Sequence, residues 1–426
     1  MKKFTVLLFV LIMAVSFVFA SGNPESNEKK EGGEIRVLNW LTGSESDMIV
    51  ELEKAFVEKN PQYSISDIKT AGGAGDPRSG IRTALLAGEK YDVMMSTWPA
   101  FEQELADADL MLPLEGYWSS YNWDSYLNES WKSLGSFNSN IYTVYFLAGN
   151  RSALWYRTDV MEDAGIEGEA STMEAWLDDL EKIKNSGVTP LSIGAKTWAH
   201  TEWFENTLLK TAGVAFADKL TKREAPWTAP EVTETFKNLR TFLEHSFEPN
   251  TSLSLEWDEA YDQVMRAKNA AYNLIGNWVN NTAKDTYGLT PAEDYSFMMF
   301  PAINEEHAKA MSIDGKSLLL LATGSNPDGG AAFIDFVLSA EGSKIIAKYG
   351  ATTPSSSADL SAYDPILKKY LTLSEGAEVF FVLDDLLPPE MSSEFRIQLQ
   401  EFIVDTSDEN IAKVQKNLEA AANRIY

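Results

Sequence analysis

The sequence predicts an α/β chain folded as two lobes, and three observations carry that expectation. About four hundred residues follow an N-terminal leader, more than one hydrophobic core usually supports. A βαβαβ rhythm runs from Glu34 to Ser96, the pattern of a largely parallel sheet. A second alternation of strands and helices then restarts near Ser152.

The leader comes first. Lys2 and Lys3 precede an apolar run from Phe4 to Phe19, broken only by Thr5 and Ser16, and Val18-Phe19-Ala20 offers the small residues a leader peptidase reads. Residues 1–20 are therefore expected to be a secretory signal, outside the folded domain. The run is short for a membrane span, and no later segment supplies about eighteen apolar residues in a row. Ser21 to Gly33 is polar, charged and Gly-bearing, the composition of a disordered tether.

In the first lobe, Glu34 to Trp40 alternates apolar and polar residues and predicts a strand. Met48, Ile49, Leu52, Ala55 and Phe56 recur at helical spacing, and Asn60-Pro61 stops that helix. Tyr63 to Lys69 reads as a strand, Ile81 to Ala87 as a short helix and Tyr91 to Ser96 as a buried strand. The second unit opens with Ala153 to Tyr156 as a strand. Ser171 with Glu174 then reads as a capping box for a helix whose stripe is Met173, Trp176, Leu177, Leu180 and Ile183. Val188 to Ile193 supplies the next strand. Trp198 to Asn281 reads as mostly helical, with a break at Pro226 and Pro230 and a helix over Asp258 to Lys268. Tyr295 to Phe300 and Lys316 to Ala322 read as strands. Asn326-Pro327-Asp328 starts a helix through Ala331, Phe333, Ile334 and Val337, and Ser392 to Ile425 is helical and amphipathic.

Composition narrows the function. Hydrophobic residues make up 44% of the chain and aromatic residues 12%, which is globular rather than disordered. The net charge of −27 becomes −29 once Lys2 and Lys3 leave with the signal. A chain this acidic makes a poor binder of nucleic acid or anionic membranes, which need clusters of Lys and Arg. With no cysteine there is no disulfide, no thiolate metal site and no thiol nucleophile. His200, His245 and His307 are too far apart for a histidine-based zinc motif, so neither metal nor cofactor is expected.

Enzymatic signatures are equally thin. The adjacent acids Asp178-Asp179, Glu305-Glu306 and Asp384-Asp385 read as surface charge, the first lying opposite a helical apolar stripe, and the facing of two carboxylates across a bond that a glycosidase needs is not a relation sequence shows. Neither a G-x-S-x-G elbow, an H-E-x-x-H helix nor a P-loop is present. The glycine run Gly72-Gly73-Ala74-Gly75 lacks the following Lys-Ser/Thr and reads as a mobile turn.

Tryptophan is the better lead. Trp40, Trp98, Trp198, Trp203 and Trp278 sit in polar or loop-like surroundings, several of them just after a predicted strand. An indole can stack on the apolar face of a sugar ring while nearby Asp, Asn, Lys and His meet its hydroxyls. Carboxyl ends of strands in open α/β sheets are also where ligands bind.

Taken in order, the chain resembles the family 1 extracellular solute-binding proteins that serve ABC importers of sugars. The resemblance rests on Val37-Leu38-Asn39-Trp40 with Glu45, Ala55-Phe56 with Asn60-Pro61, and the glycine run at 72–75. It continues through Leu85-Leu86-Ala87-Gly88, Tyr91-Asp92-Val93, and Leu154-Trp155-Tyr156 leading to Ala164-Gly165-Ile166. Gly276-Asn277-Trp278, Asn326-Pro327 with Ala331-Ala332-Phe333-Ile334-Phe336, and Pro354 complete it. The glycine run is most similar to the branch that takes monosaccharides such as glucose. Arg157 and Asn277 depart from the family's usual asparagine and aspartate, and no lipid-bearing cysteine is present.

What the resemblance implies is a two-lobed periplasmic-binding-protein fold, type II-like, with a cleft between lobes and chain crossings near Tyr145–Arg151 and Ala310–Lys316. Residues 34–149 and 314–343 would form the N-terminal lobe, and 150–310 and 350–426 the C-terminal lobe. The implied protein is a freely diffusing periplasmic or extracellular monomer, not an enzyme. It captures a mono- or short oligosaccharide by lobe closure and delivers it to ABC transporter permease subunits. Trp40, Glu45 and Trp98 would contact ligand from one lobe, and Asn150, His200, Trp203, Asn277 and Trp278 from the other. Asp314 and Lys316 would act from the return crossover. The competing expectations are a secreted glycosidase or lyase, and the same fold carrying a peptide or polyamine.

Overall fold

A computed structural model of the chain describes residues 32–70 and 77–426. The leader, nearly all of the tether and the glycine run at 72–75 lie outside the described residues. The strands sort into two principal sheets and one small hairpin.

The first sheet opens with β1 (Gly33–Asn39), β2 (Tyr63–Lys69) and β3 (Val93–Ser96), all mutually parallel with β1 in the middle. A small hairpin, β4 (Ser136–Phe137) and β5 (Asn140–Ile141), precedes β6 (Thr143–Asn150). The second sheet holds β7 (Ala153–Arg157), β8 (Thr189–Ser192), β9 (Ala270–Leu274) and β10 (Tyr295–Met299), in the order β10-β7-β9-β8. The chain then returns through β11 (Ala310–Leu320) and β12 (Glu378–Phe381) to complete the first sheet, ordered β12-β11-β3-β1-β2 with β6 also paired to β11.

Side-chain alternation explains why the first sheet is buried on both faces. Val37, Val93, Met95, Leu318 and Leu320 enter one core, packed by the helices Gly43–Lys59 and Pro327–Leu338. Their neighbours Leu38, Met94 and Leu319 enter another, with Trp98 and Phe101. The second sheet has its own larger core, in which the helices His200–Ala212, Pro230–Leu243, Pro389–Val404 and Asp408–Ile425 contribute Phe204, Phe236, Phe395, Phe402 and Leu418. A further cluster joins the two halves: Tyr145 of β6 and Met311 and Ile313 of β11 pack with Trp155, Phe297 and Phe381. It surrounds the place where Asn150 hands the chain from one sheet to the other.

Several elements differ from the sequence reading. β9 falls inside the stretch 198–281 read as mostly helical, and its five residues are all buried. β11 begins at Ala310, well before Lys316, and is buried along all eleven residues. β12, absent from the sequence reading, gives the first sheet a strand from the segment 350–426. The helix after Ser171 is capped by Thr172, whose hydroxyl accepts from the Ala175 N–H. The C-terminal helix is two helices, with Ser407 capping the second. Asp384 and Asp385 are not surface charge: both are buried on the turn Leu383–Leu386. Asp384 accepts from the Ser392 hydroxyl and pairs with Arg396.

Candidate functional site

Parallel strands end together, so residues just past their carboxyl ends converge on one side of each sheet. Trp40 follows β1 and Trp98 follows β3. Across from them, Trp198 follows β8 and Asn277-Trp278 follows β9. Trp40 and Trp98 pack at 4.8 Å between ring centroids and 37° between planes. Trp278 meets Trp198 at 6.1 Å and Trp257, at the head of the helix Trp257–Met265, at 6.0 Å. Trp40, Trp198, Trp257 and Trp278 are half-buried, whereas Trp98 is buried.

Trp278 also borders a recess whose lining includes Glu45, Gly149, Asn277, Asp314 and Lys316. Asp314 and Lys316 come from the middle of β11, opposite Gly149 and Leu147 of β6. Gly149 is required there, because a Cβ would overlap the Asp314 carboxylate. Lys316 Nζ sits 2.7 Å from Glu45 Oε1, in the first turn of the helix Gly43–Lys59, and 6.0 Å from the Trp278 ring centroid. The cavity measures about 20 Å³, room for about one or two waters. The recess as it stands is too small for a sugar ring.

Arg151, in the turn between β6 and β7, ties this recess to the buried interior. Its guanidinium packs on Trp278 at 4.5 Å and on Trp198 at 5.2 Å. Nε lies 3.1 Å from Asp314 Oδ2, and Nη1 pairs with Glu202 on the helix His200–Ala212. Burial raises the Glu202 carboxyl well above the usual range, against the pull of Arg151. Burial likewise pushes Asp385 up to about 7, while the charges of Arg151 and Arg78 oppose the shift. Arg78 packs on Trp98 at 5.6 Å. Asp385 thus feels the charges of two arginines that each pack on an indole.

Of the residues singled out in the sequence, Glu45, Asn277, Trp278, Asp314 and Lys316 share the recess. Trp40 and Trp98 form the neighbouring aromatic pair. Asn150 is fully buried behind the recess. It exchanges two hydrogen bonds with Asn277, whose backbone N–H donates to the Asn150 carbonyl at 3.1 Å and whose side-chain Oδ1 accepts from the Asn150 N–H at 3.3 Å.

His200 and Trp203 do not join the site. His200 Nε2 lies 3.0 Å from the Arg396 carbonyl, and burial pulls its pKa down to about 4. Trp203 packs against Phe242 and Phe300 in the core of the second sheet. Both lie on a helix buried from His200 to Lys210, so their polar neighbours are internal partners and not a wet surface. Sequence reasoning missed Arg151, Arg78, Trp257 and Asp385. The Asp384-Asp385 pair was the available signal, and it was assigned to the surface.

Comparisons with known proteins agree with this architecture. The solved structure of the bacterial solute receptor AcbH, described as preferring β-D-galactopyranose exclusively, superposes with a TM-score of 0.84 at 21% identity, covering 92% of this chain and 99% of that one. A chitin oligosaccharide binding protein superposes with a TM-score of 0.79 at 17% identity, covering 92% and 100%. In sequence, an uncharacterised ABC transporter extracellular-binding protein of Pyrococcus horikoshii is 24% identical over 378 residues, 87% of this chain and 83% of that protein. The alpha-glucosides-binding periplasmic protein AglE of Rhizobium meliloti is 26% identical over 349 residues, 78% and 76%. The family model for bacterial extracellular solute-binding proteins matches residues 42–344. That match covers well over half of the chain, and the chain belongs to the bacterial extracellular solute-binding proteins.

Proposed function

We propose that this protein captures a mono- or short oligosaccharide between its lobes outside the cytoplasm and delivers it to the permease of an ABC importer. The observation that carries the reading is the recess itself. Half-buried indoles from the second sheet meet Glu45, Asp314 and Lys316 of the first around it. A neutral hydrogen bond contributes only about 0.5–1.5 kcal/mol net, while micromolar binding requires about 8 kcal/mol. Several bonds and ring stacking must therefore be gathered from many chain segments, and the lining of the recess offers groups from several of them.

Closure is part of the mechanism. With so small a cavity a sugar enters only when the lobes part, and its contacts to both sides then favour the closed form. No bond is broken in this reading, and the family supports a carrier rather than an enzyme. The polyamine reading is weakened by the protein's own cations, since Arg151 and Lys316 already occupy positions near the Trp278 ring.

The test is calorimetry with a panel of neutral sugars on the mature protein. Trp278→Ala should lower affinity at least tenfold while leaving the circular dichroism spectrum intact. Unchanged affinity would remove Trp278 from the site, and chromatographic turnover of an oligosaccharide would replace the carrier with an enzyme.

A further inference from the structure

Resting on the sugar-carrier reading, we infer that this cleft selects uncharged sugars and rejects uronic acids, because its cations are already matched by carboxylates of the chain. Lys316 is held by Glu45 at 2.7 Å. Arg151 is held by Asp314 at 3.1 Å and by Glu202. Arg78, beside Trp98, faces the charge of Asp385. The set therefore brings three basic side chains and four acidic ones together before any ligand arrives.

A uronate would bring a further carboxylate into this recess. Taking it out of water is costly unless a cation with free hydrogen-bonding capacity receives it. Here Lys316 and Arg151 would each have to release a carboxylate of the protein, leaving that group beside the newcomer. A neutral sugar avoids the exchange. Its hydroxyls can donate to Glu45 and Asp314 and accept from Lys316 without breaking the pairs.

The experiment compares sugars that differ only in the oxidation of C6: D-glucose with D-glucuronate, and D-galactose with D-galacturonate. Affinity is measured by calorimetry at pH 7.5 on the mature protein, with maltose as a longer neutral probe. The expected result is that a neutral member binds and its uronate binds at least tenfold more weakly. A uronate within tenfold of its neutral partner, or binding alone, overturns the inference and leaves the sugar-carrier reading standing. If no sugar of either kind binds, the carrier reading fails and this inference falls with it. Glu45→Gln adds a second readout, since it frees Lys316 to receive a carboxylate. It should narrow the ratio between neutral and acidic sugar at least threefold, and an unchanged or wider ratio counts against the proposal.

Discussion

At position 276 the backbone turns so tightly that the Trp278 ring folds back over it, and a Cβ there would overlap the indole. The glycine contributes no side chain to the recess, yet it sets where the recess wall stands. Gly276→Ala should therefore push the ring aside and weaken sugar binding at least tenfold in calorimetry, with thermal stability lowered by about 1–3 kcal/mol for the overpacking. Binding that stays within threefold of the parent would show that the ring has freedom to spare. Both Gly276 and Trp278 could be picked out from the sequence, because Gly276-Asn277-Trp278 resembles the glycine-x-tryptophan turn of the family even though the strand before it was read as helix. His200 and Trp203 could not be separated from them by the same reasoning. The helix that carries them buries Glu202, Glu205, Asn206 and Lys210 beside its apolar residues, so polar company ceases to mark a surface. Arg151 escaped for the opposite reason. An arginine after a strand is an ordinary solvated residue until the fold supplies Glu202 and Asp314 from distant segments.

Among the elements, the helix Pro327–Leu338 shows how much local sequence can specify. Asn326 caps it by accepting from the Gly329 N–H at 3.0 Å, and its amide also donates to the Glu34 carbonyl at 3.1 Å at the start of β1. One side chain thus fixes a helix start and ties it to the first strand. Asn326→Ala should cost about 1–2 kcal/mol in urea unfolding, with the denaturant slope unchanged, and a loss under 0.3 kcal/mol would mean that water replaces both bonds. The Asn-Pro-Asp start was legible because capping and the N1 proline act within one turn. β9 and β12 were not. Ala270–Leu274 is a short apolar run without alternation, which periodicity cannot distinguish from buried helix. Glu378–Phe381 has two exposed residues and two buried ones, and only its parallel pairing with Ala310–Ile313 makes it a strand. Pairing between segments about seventy residues apart leaves no local trace.

Across the whole molecule, the two-lobed α/β class was readable, while the full membership of its sheets and the buried polar network at their junction were not. Glu205, on the helix His200–Ala212, accepts from the Ser312 hydroxyl of β11 and from the Leu383 N–H at 2.6 Å in the turn after β12. It thereby links the second lobe's core to two segments that return from the first sheet. Burial pushes its pKa from 4.5 up to about 8, with the two hydrogen bonds and the charge of Arg151 opposing the shift. The neutral acid is thus favoured by the folded state. Between pH 4.5 and 8 the folded protein holds a proton at this site that the unfolded chain has lost, so stability contributed by Glu205 is full below about pH 4.5 and is lost as pH rises through 8. Burial of His200, whose pKa falls to about 4, acts in the other direction, removing stability as pH falls from 6.5 towards 4. Glu205→Gln isolates the first effect. The amide oxygen can still accept from Leu383 and the amide nitrogen can donate to Ser312, while nothing remains to ionise. Relative to the parent, the variant should gain on the order of 2 kcal/mol between pH 5 and pH 8 in urea unfolding, with little change in the acid limb below pH 5. Parallel stability curves for the two proteins across that range would mean that Glu205 is already ionised in the folded state, held by Arg151 strongly enough to overcome its burial.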